Sequence, residues 1–289
     1  TTVVLLTLAL GIGAVTAIYS LVYSTVIKPL PYPESGQLYY VSEQNAERTR
    51  GRAPALATFL NFRQEATTFE AFSMINTKGK NLLGAGEVKR AYTGTVSVNL
   101  FSDLLRTPPI LGRTFRPDEE NPNSDPVVVL TYDFWQKAYY GSEDALGKSF
   151  QINGVSTTIV GVMPEGFNAM IGVDIYVPHT ISEAGLNTQT IRNAGTLGRL
   201  RKGVTEEEAL AELAVIHHQL AQSDPQNYEG FEPRLFNVHE ASTRRNRGQF
   251  YFLLGSVGCL LLIACSNIAN LLLARASSRE SEMAVRTAL

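Results

Sequence analysis

A chain of 289 residues with net charge −2 and 18% charged residues lacks the basic excess that nucleic-acid binding needs, so no nucleic acid is expected among its partners. Its 44% hydrophobic content is that of an ordinary soluble protein, but the apolar residues are gathered at the two ends. Both cysteines, Cys259 and Cys265, fall in the second apolar run, six residues and about 600° of helical rotation apart, which excludes a disulfide between them.

Residues 1–27 contain no charged side chain. At about 1.5 Å rise per residue they can cross the ~30 Å hydrocarbon core of a bilayer, and they read as a first transmembrane helix. A cleaved signal peptide is the competing reading; the run lacks a basic start and exceeds the usual apolar length of one. Ala9, Gly13 and Ala17, four apart, form a flat strip where another helix can approach closely. Lys28 and the stiff Pro29-Leu30-Pro31-Tyr32-Pro33 lead out of this helix.

Residues 28–248 then read as one water-facing domain. Apolar patterning predicts a strand over 38–41, a helix over 56–66 and strands over 69–75 and 90–98. The Pro- and Asn-rich stretch 108–126 reads as loop. A strand over 127–130 and an aromatic helix over 132–140 follow. Asn153-Gly154 between alternating runs gives a hairpin whose return strand stops at Pro164. Strands are predicted over 175–177, 196–200 and 234–238. The helix between the last two is started by the Thr205/Glu208 capping box, with Leu210, Leu213, His217 and Leu220 on its apolar face. The fold class is α+β: one β-α-β unit at each end (34–98 and 192–241) and a β-rich insertion between them (99–191).

Residues 249–274 read as a second transmembrane helix. Asn267 and Asn270 share one of its faces, and amides are costly in hydrocarbon, so they are expected to bond across to other helices. Residues 275–289 begin an amphipathic segment containing Glu282 and Arg286. Arg244, Arg245 and Arg247 before this helix balance Arg275, Arg279 and Arg286 after it, so charge alone sets no orientation. The chain starts inside one hydrophobic run and stops inside a helical pattern, and a longer parent protein is expected.

Candidate chemistry is thin. The run from Gly141 to Ser149 resembles a phosphate-binding loop, but five residues separate Gly141 from Gly147 instead of four, and it follows a helix instead of a strand. Asp118, Glu119, Glu120 and Asp125 lack calcium-loop spacing and read as a solvated loop. Of His179, His217, His218 and His239, the adjacent pair points about 100° apart and cannot clamp one metal. No nucleophile–base set can be assembled, so the chain reads as no enzyme, with no metal and no cofactor.

Several segments together resemble the MacB-like, FtsX-type permease subunits of ABC transporters, in particular the large duplicated permeases of acidobacteria. They are Leu8-Ala9-Leu10-Gly11-Ile12-Gly13-Ala14, Lys28-Pro29-Leu30-Pro31-Tyr32-Pro33, Leu111-Gly112-Arg113-Thr114-Phe115 and Phe134-Trp135-Gln136. Further along come Ile159-Val160-Gly161-Val162-Met163-Pro164, Gly198-Arg199-Leu200 with Gly203-Val204-Thr205, Cys265-Ser266-Asn267-Ile268-Ala269-Asn270-Leu271-Leu272, and Glu282-Met283-Ala284-Val285-Arg286-Thr287-Ala288-Leu289. The resemblance implies a bacterial inner-membrane protein with four membrane helices, two of them present here, and the large domain in the periplasm. It implies a second permease, identical or fused, and a separate cytoplasmic ABC ATPase docking on 282–289 through Glu282 and Arg286. Membrane lipid and a periplasmic adaptor or cargo protein complete the implied partners. The implied function is to relay ATPase-driven motion to the periplasmic domain. A membrane-anchored ligand-binding or signalling module is the alternative.

Overall fold

The computed structural model describes residues 9, 11–13, 15–20, 23, 30–45, 51–83, 89–167, 169, 172–181, 194–244, 248, 251–253, 255–259, 261–263, 265, 266, 268–270 and 273. Two compact units share the chain: Leu30–His239, and the two ends Thr1–Pro29 with Glu240–Leu289.

The first unit is a mixed, sheet-dominated α/β domain. Its strands are β1 (Leu38–Asn45), β2 (Phe69–Leu83), β3 (Lys89–Val96), β4 (Leu111–Gly112), β5 (Val127–Leu130), β6 (Ser149–Ile152), β7 (Val155–Val162), β8 (Ile175–Pro178), β9 (Gly195–Leu200) and β10 (Phe231–Asn237). Helices α1 (Leu56–Glu65), α2 (Tyr132–Tyr139), α3 (Glu206–Ser223) and α4 (Pro225–Tyr228) join them. All strands belong to one sheet, ordered β10-β1-β9-β2-β3-β8-β5-β7-β4.

At one end of this sheet, β1 pairs antiparallel with both β10 and β9, and β9 pairs antiparallel with β2. Strands β1 and β2 are therefore parallel with β9 between them, and β9 and β10 are parallel with β1 between them. These are two interlocked split β-α-β units, the order 4-1-3-2 of a ferredoxin-like sheet. Helices α1 and α3 cover one face, burying Phe59, Phe62, Phe69, Phe72, Met74, Leu213 and Ile216. Spacing of Leu56, Phe59 and Phe62 at three residues gives α1 its buried stripe. Thr205 and Glu208 cap α3 reciprocally, as the sequence predicts. Its buried face comprises Ala209, Leu213, Ile216 and His217, so Leu210 and Leu220 of the expected stripe lie at its margins.

The remaining strands form a ring. Pairing runs β2 to β3, β8, β5, β7 and β6, and β6 returns to β2 through Leu82↔Ile152 and Leu83↔Gln151. Closure removes exposed edges. Asn153 (φ 51°) and Gly154 (φ 86°) make the β6–β7 turn with two left-handed residues, the type I′ geometry that Asn-Gly favours.

The strand expected over 38–41 runs on to Asn45, the one expected over 234–238 spans Phe231–Asn237, and two further readings need correction. Strand β2 runs eight residues beyond the expected end at Ile75, because β3 holds it although Thr77, Lys78 and Gly79 face solvent. Within 108–126 the chain forms β4 and a 3-10 turn (Pro117–Glu120) instead of pure loop.

In the second unit, Tyr251–Asn270 is the one helix among the described residues long and apolar enough to cross a bilayer, with mean hydropathy 2.1 and 7% buried. Gly11–Ser20 is apolar but shorter. Phe252, Leu262 and Ile263 stand exposed, the reverse of the domain's interior. The hydroxyls of Thr16 and Ser256 donate to the carbonyls of Ile12 and Phe252, four residues back, which leaves neither donor needing water.

Candidate functional site

Strand alternation places Arg199 on the sheet face opposite α1 and α3, beside Leu197. It is fully buried. Its Nε donates to the Leu104 carbonyl at 2.6 Å, Nη2 to Pro33 O at 3.0 Å, and Nη1 to Glu34 O at 3.3 Å and Gln37 Oε1 at 3.5 Å. Taking a guanidinium out of water is costly unless its donors are matched, and here carbonyls match them. Burial pulls its pKa below the ordinary arginine range, Arg106 adds to the pull, and Glu70 and Glu34 oppose it.

Around it, Arg106 bridges the carboxylates of Glu34 (2.8 Å) and Glu70. Glu34 (φ 50°) and Arg106 (φ 51°) both hold left-handed backbones, which cost a non-glycine residue about 1 kcal/mol or more and persist only where neighbours enforce them. Asn237, the last residue of β10, donates from Nδ2 to Gly36 O at 3.0 Å. Residues 33–37 are thus tied to β9, to the turn after Leu104 and to β10.

A second polar cluster lies between α1, α3 and β1. Glu43 is fully buried, with Arg52 Nε at 2.8 Å and the Thr58 hydroxyl at 3.2 Å. His217 Nε2 stands 3.7 Å from Glu43, and its ring meets Tyr228 edge-on at 5.4 Å. Arg52 also donates to Asn227 O at 2.6 Å and stacks 3.2 Å above the Phe231 ring. A carboxylate–imidazole pair can move protons, but the neighbouring hydroxyls of Thr58 and Tyr228 belong to residues at most 1% exposed. The cluster cross-braces the two β-α-β units. Above it, an open groove is lined by Gln44, Asn45, His218, Tyr228 and Phe231. No group of three or more metal-ligating side chains occurs among the described residues.

The residues singled out from sequence fall elsewhere. Ala9, Gly13 and Ala17 lie on helical residues of the second unit and are exposed, and a Cβ built on Gly13 meets nothing within 4 Å. Asn270 is exposed; Asn267, Glu282 and Arg286 lie outside the described residues. Cys259 and Cys265 are free. The stretch from Gly141 to Ser149 forms a turn closed by the Ser142 carbonyl accepting from Trp135 Nε1 at 2.9 Å. In the acidic stretch, Glu119 corrects the reading of a solvated loop. It is 5% exposed, bound by Arg113 at 2.6 and 3.1 Å, and accepts the Arg116 N–H, so it organises its turn. Glu120 pairs with Arg63 at 2.7 Å. His179 is held below its ordinary pKa by burial, partly offset by Glu120 and a backbone hydrogen bond.

With this geometry in place, a family model described as the MacB-like periplasmic core domain matches residues 1–216. The chain belongs to that family. The periplasmic region of MacB from Actinobacillus actinomycetemcomitans shares the fold at TM-score 0.53 and 13% identity, covering 74% of this chain and 94% of that one. The extracellular domain of the noncanonical ABC-type transporter YknZ from Gram-positive bacteria matches at TM-score 0.51 and 12% identity, over 69% and 100% of the two chains. In sequence, the macrolide export ATP-binding/permease protein MacB of Wolinella succinogenes is 27% identical over 186 residues, which cover 62% of this chain and 28% of that protein's length.

For this MacB-like core domain, the structure explains several of the sequence segments that carried the resemblance. Gly112 (φ 72°) and Gly161 cross where β4 meets β7: a Cβ on Gly161 would lie 2.1 Å from Arg113 O, and one on Gly112 2.3 Å from Val160 O. A Cβ on Gly198 would strike the Phe69 ring at 2.7 Å. Arg199 beside it is the buried donor described above. Sequence reading passed over Arg199 and Glu43 because a charged residue in a short strand signals exposure by default. The one usable signal for Arg199 was its place within a matched segment.

Proposed function

We propose that this chain is the permease side of an ABC-type transport or mechanotransmission complex. It relays motion driven by a separate cytoplasmic ATPase to a periplasmic domain. The observation that carries the reading is that a match to this family's core domain over residues 1–216 accompanies two apolar segments, 1–27 and 249–274, with no charged residue before Lys28 or between Phe250 and Ala274. In this reading both segments span the bacterial inner membrane and the domain lies in the periplasm. Ala9, Gly13 and Ala17 on the first helix and Asn267 and Asn270 on the second pack against further helices, including those of a second permease. Glu282 and Arg286, one turn apart on a helix, contact the ATPase. Membrane lipid and a periplasmic adaptor or cargo protein are the remaining partners. ATP chemistry belongs to the partner, and this chain carries no catalytic step.

Co-purification of the full-length protein with an ABC ATPase, lost on Arg286→Glu, is the expected result. Absence of any ATPase from a mild-detergent pull-down would overturn the assignment. A second reading, a membrane-anchored ligand-binding or signalling module, is favoured by the open groove beside α3 and β10. A thermal-shift screen of the detergent-solubilised chain separates the two, since a tight small-molecule stabiliser lost on Phe231→Ala would support the module.

A further inference from the structure

Resting on the relay reading, we propose that Arg199 is its positioning residue: a buried latch that fastens the incoming chain at 33–37 to the centre of the sheet. Load arriving through the first apolar segment is then delivered to β9 and is not lost in a slack linker. Only Lys28 and Pro29 separate residue 30 from that segment in sequence, and Pro29, Pro31 and Pro33 stiffen the passage. The next residues carry no regular strand pairing; β1 begins only at Leu38. The guanidinium reaches the carbonyls of Pro33 and Glu34 on one side and of Leu104 on the other, and the Tyr32 ring adds an edge-on contact with Phe167.

Three further observations point to a built fastening. Both residues of the Glu34–Arg106 ion pair hold left-handed backbones, so the turn is kept in a shape it would not adopt alone. Asn237 ties Gly36 to the point where β10 leaves the sheet, so the incoming and outgoing passages of the chain are fastened to each other. Arg199 pairs across β9 with Leu38 on one side and Ala71 on the other, so its own backbone is fixed by two neighbouring strands. A latch has to be firmer than the segment it holds, and this one is anchored in the sheet interior.

The test is single-molecule pulling of the full chain in detergent, with handles on Leu30→Cys and on Val155→Cys at the exposed β6–β7 hairpin, Cys259 and Cys265 being replaced by Ser. Wild type should bear load until the sheet yields, with no earlier event. Arg199→Met should add a step of roughly 25 Å, the extended length of about eight released residues, before the sheet yields. At constant load that release should quicken about a hundredfold, as expected for loss of several charge-assisted hydrogen bonds. An Arg199 that merely stabilises the fold would lower the yielding force without the early step, and that outcome overturns the proposal. So does a wild-type early step at the load and rate that release Arg199→Met.

Should Arg199→Met fail to fold, Arg199→Lys supplies a variant that keeps the charge; a single ammonium cannot span Leu104, Pro33 and Glu34 together, and the early step should persist. Asn237→Ala, which removes only the Gly36 tie, should quicken release several-fold. A Lys variant that bears load like wild type would count against the latch. The pulling result and the ATPase co-purification are independent: a firm latch with no ATPase partner would sink the relay reading and leave the fastening intact.

Discussion

The helix-backed part of the domain and the strand ring fill space by different means. Under α1 and α3 the interior is made by bulky side chains meeting across two layers, with Phe62 and Phe69 both packed on Phe72 and the buried Glu43 cluster bracing the helices. In the ring, side chains such as Phe150, Ile152, Ile159 and Val162 also fill the interior. At the β4–β7 seam, however, backbone approaches backbone directly at Gly112 and Gly161, and Phe101, Phe115, Phe167 and Tyr176 pack together in the same half. The first arrangement is sensitive to what is removed. The second is sensitive to what is added.

The strongest expected break of that contrast is Phe59→Ala, which empties a fully buried site between helix and sheet; a loss of about 3–5 kcal/mol in denaturant unfolding is expected. Gly161→Ala adds a single carbon to the ring but places it against the Arg113 carbonyl. About 2–3 kcal/mol should be lost, with amide exchange rising at Ile110 and Arg113, whose N–H groups bond to Val162 O and Val160 O. If Gly161→Ala proves neutral, the ring is looser than its backbone contacts imply and the contrast fails. Thr205→Ala, removing the N-cap of α3, should cost about 1 kcal/mol and leave the ring's exchange pattern unchanged.

The smallest effect is a pH dependence confined to the helix-backed part. Burial alone would raise the pKa of Glu212, but hydrogen bonds from the side chains and backbone N–H groups of Thr68 and Thr67 outweigh it and hold the pKa below the ordinary glutamate value. A carboxylate with a lowered folded pKa stabilises the fold above its unfolded pKa, and that stabilisation is lost as pH falls through the folded value. The stability gap between wild type and Glu212→Gln should therefore be full at neutral pH and close as the solution is acidified below about pH 4.5. A gap that widens on acidification would reverse the sign of this assignment.

Elements governed by local rules were legible in the residues. Val127–Leu130 matches its predicted bounds, α2 its bounds to within one residue, and the Asn153-Gly154 hairpin and the α3 cap follow from turn and capping chemistry alone. Features requiring distant partners were not. The polar tail of β2 shows no alternation to read, and it is made a strand by pairing with β3 and, at its end, with β6. Glu119 looked solvated because Arg113, which buries it, is brought close by a turn that composition does not reveal. Arg199 and Glu43 became recognisable only once strands more than 150 residues apart in sequence were seen side by side.

Strand β2 runs through both halves, pairing with β9 from Phe69 to Ile75, with a register shift between Phe69 and Ala71, and with β3 from Ile75 onward. Fifteen residues at about 3.3 Å each make a bar of roughly 45–50 Å. A tilt of about 5° imposed near Ala71, past the register shift, would displace the Leu83 end by roughly 3–4 Å for a strand that moves as one piece. Such a bar amplifies small angular inputs into displacements comparable to a residue's length. It does so without any hinge, since the same backbone is the pivot and the pointer.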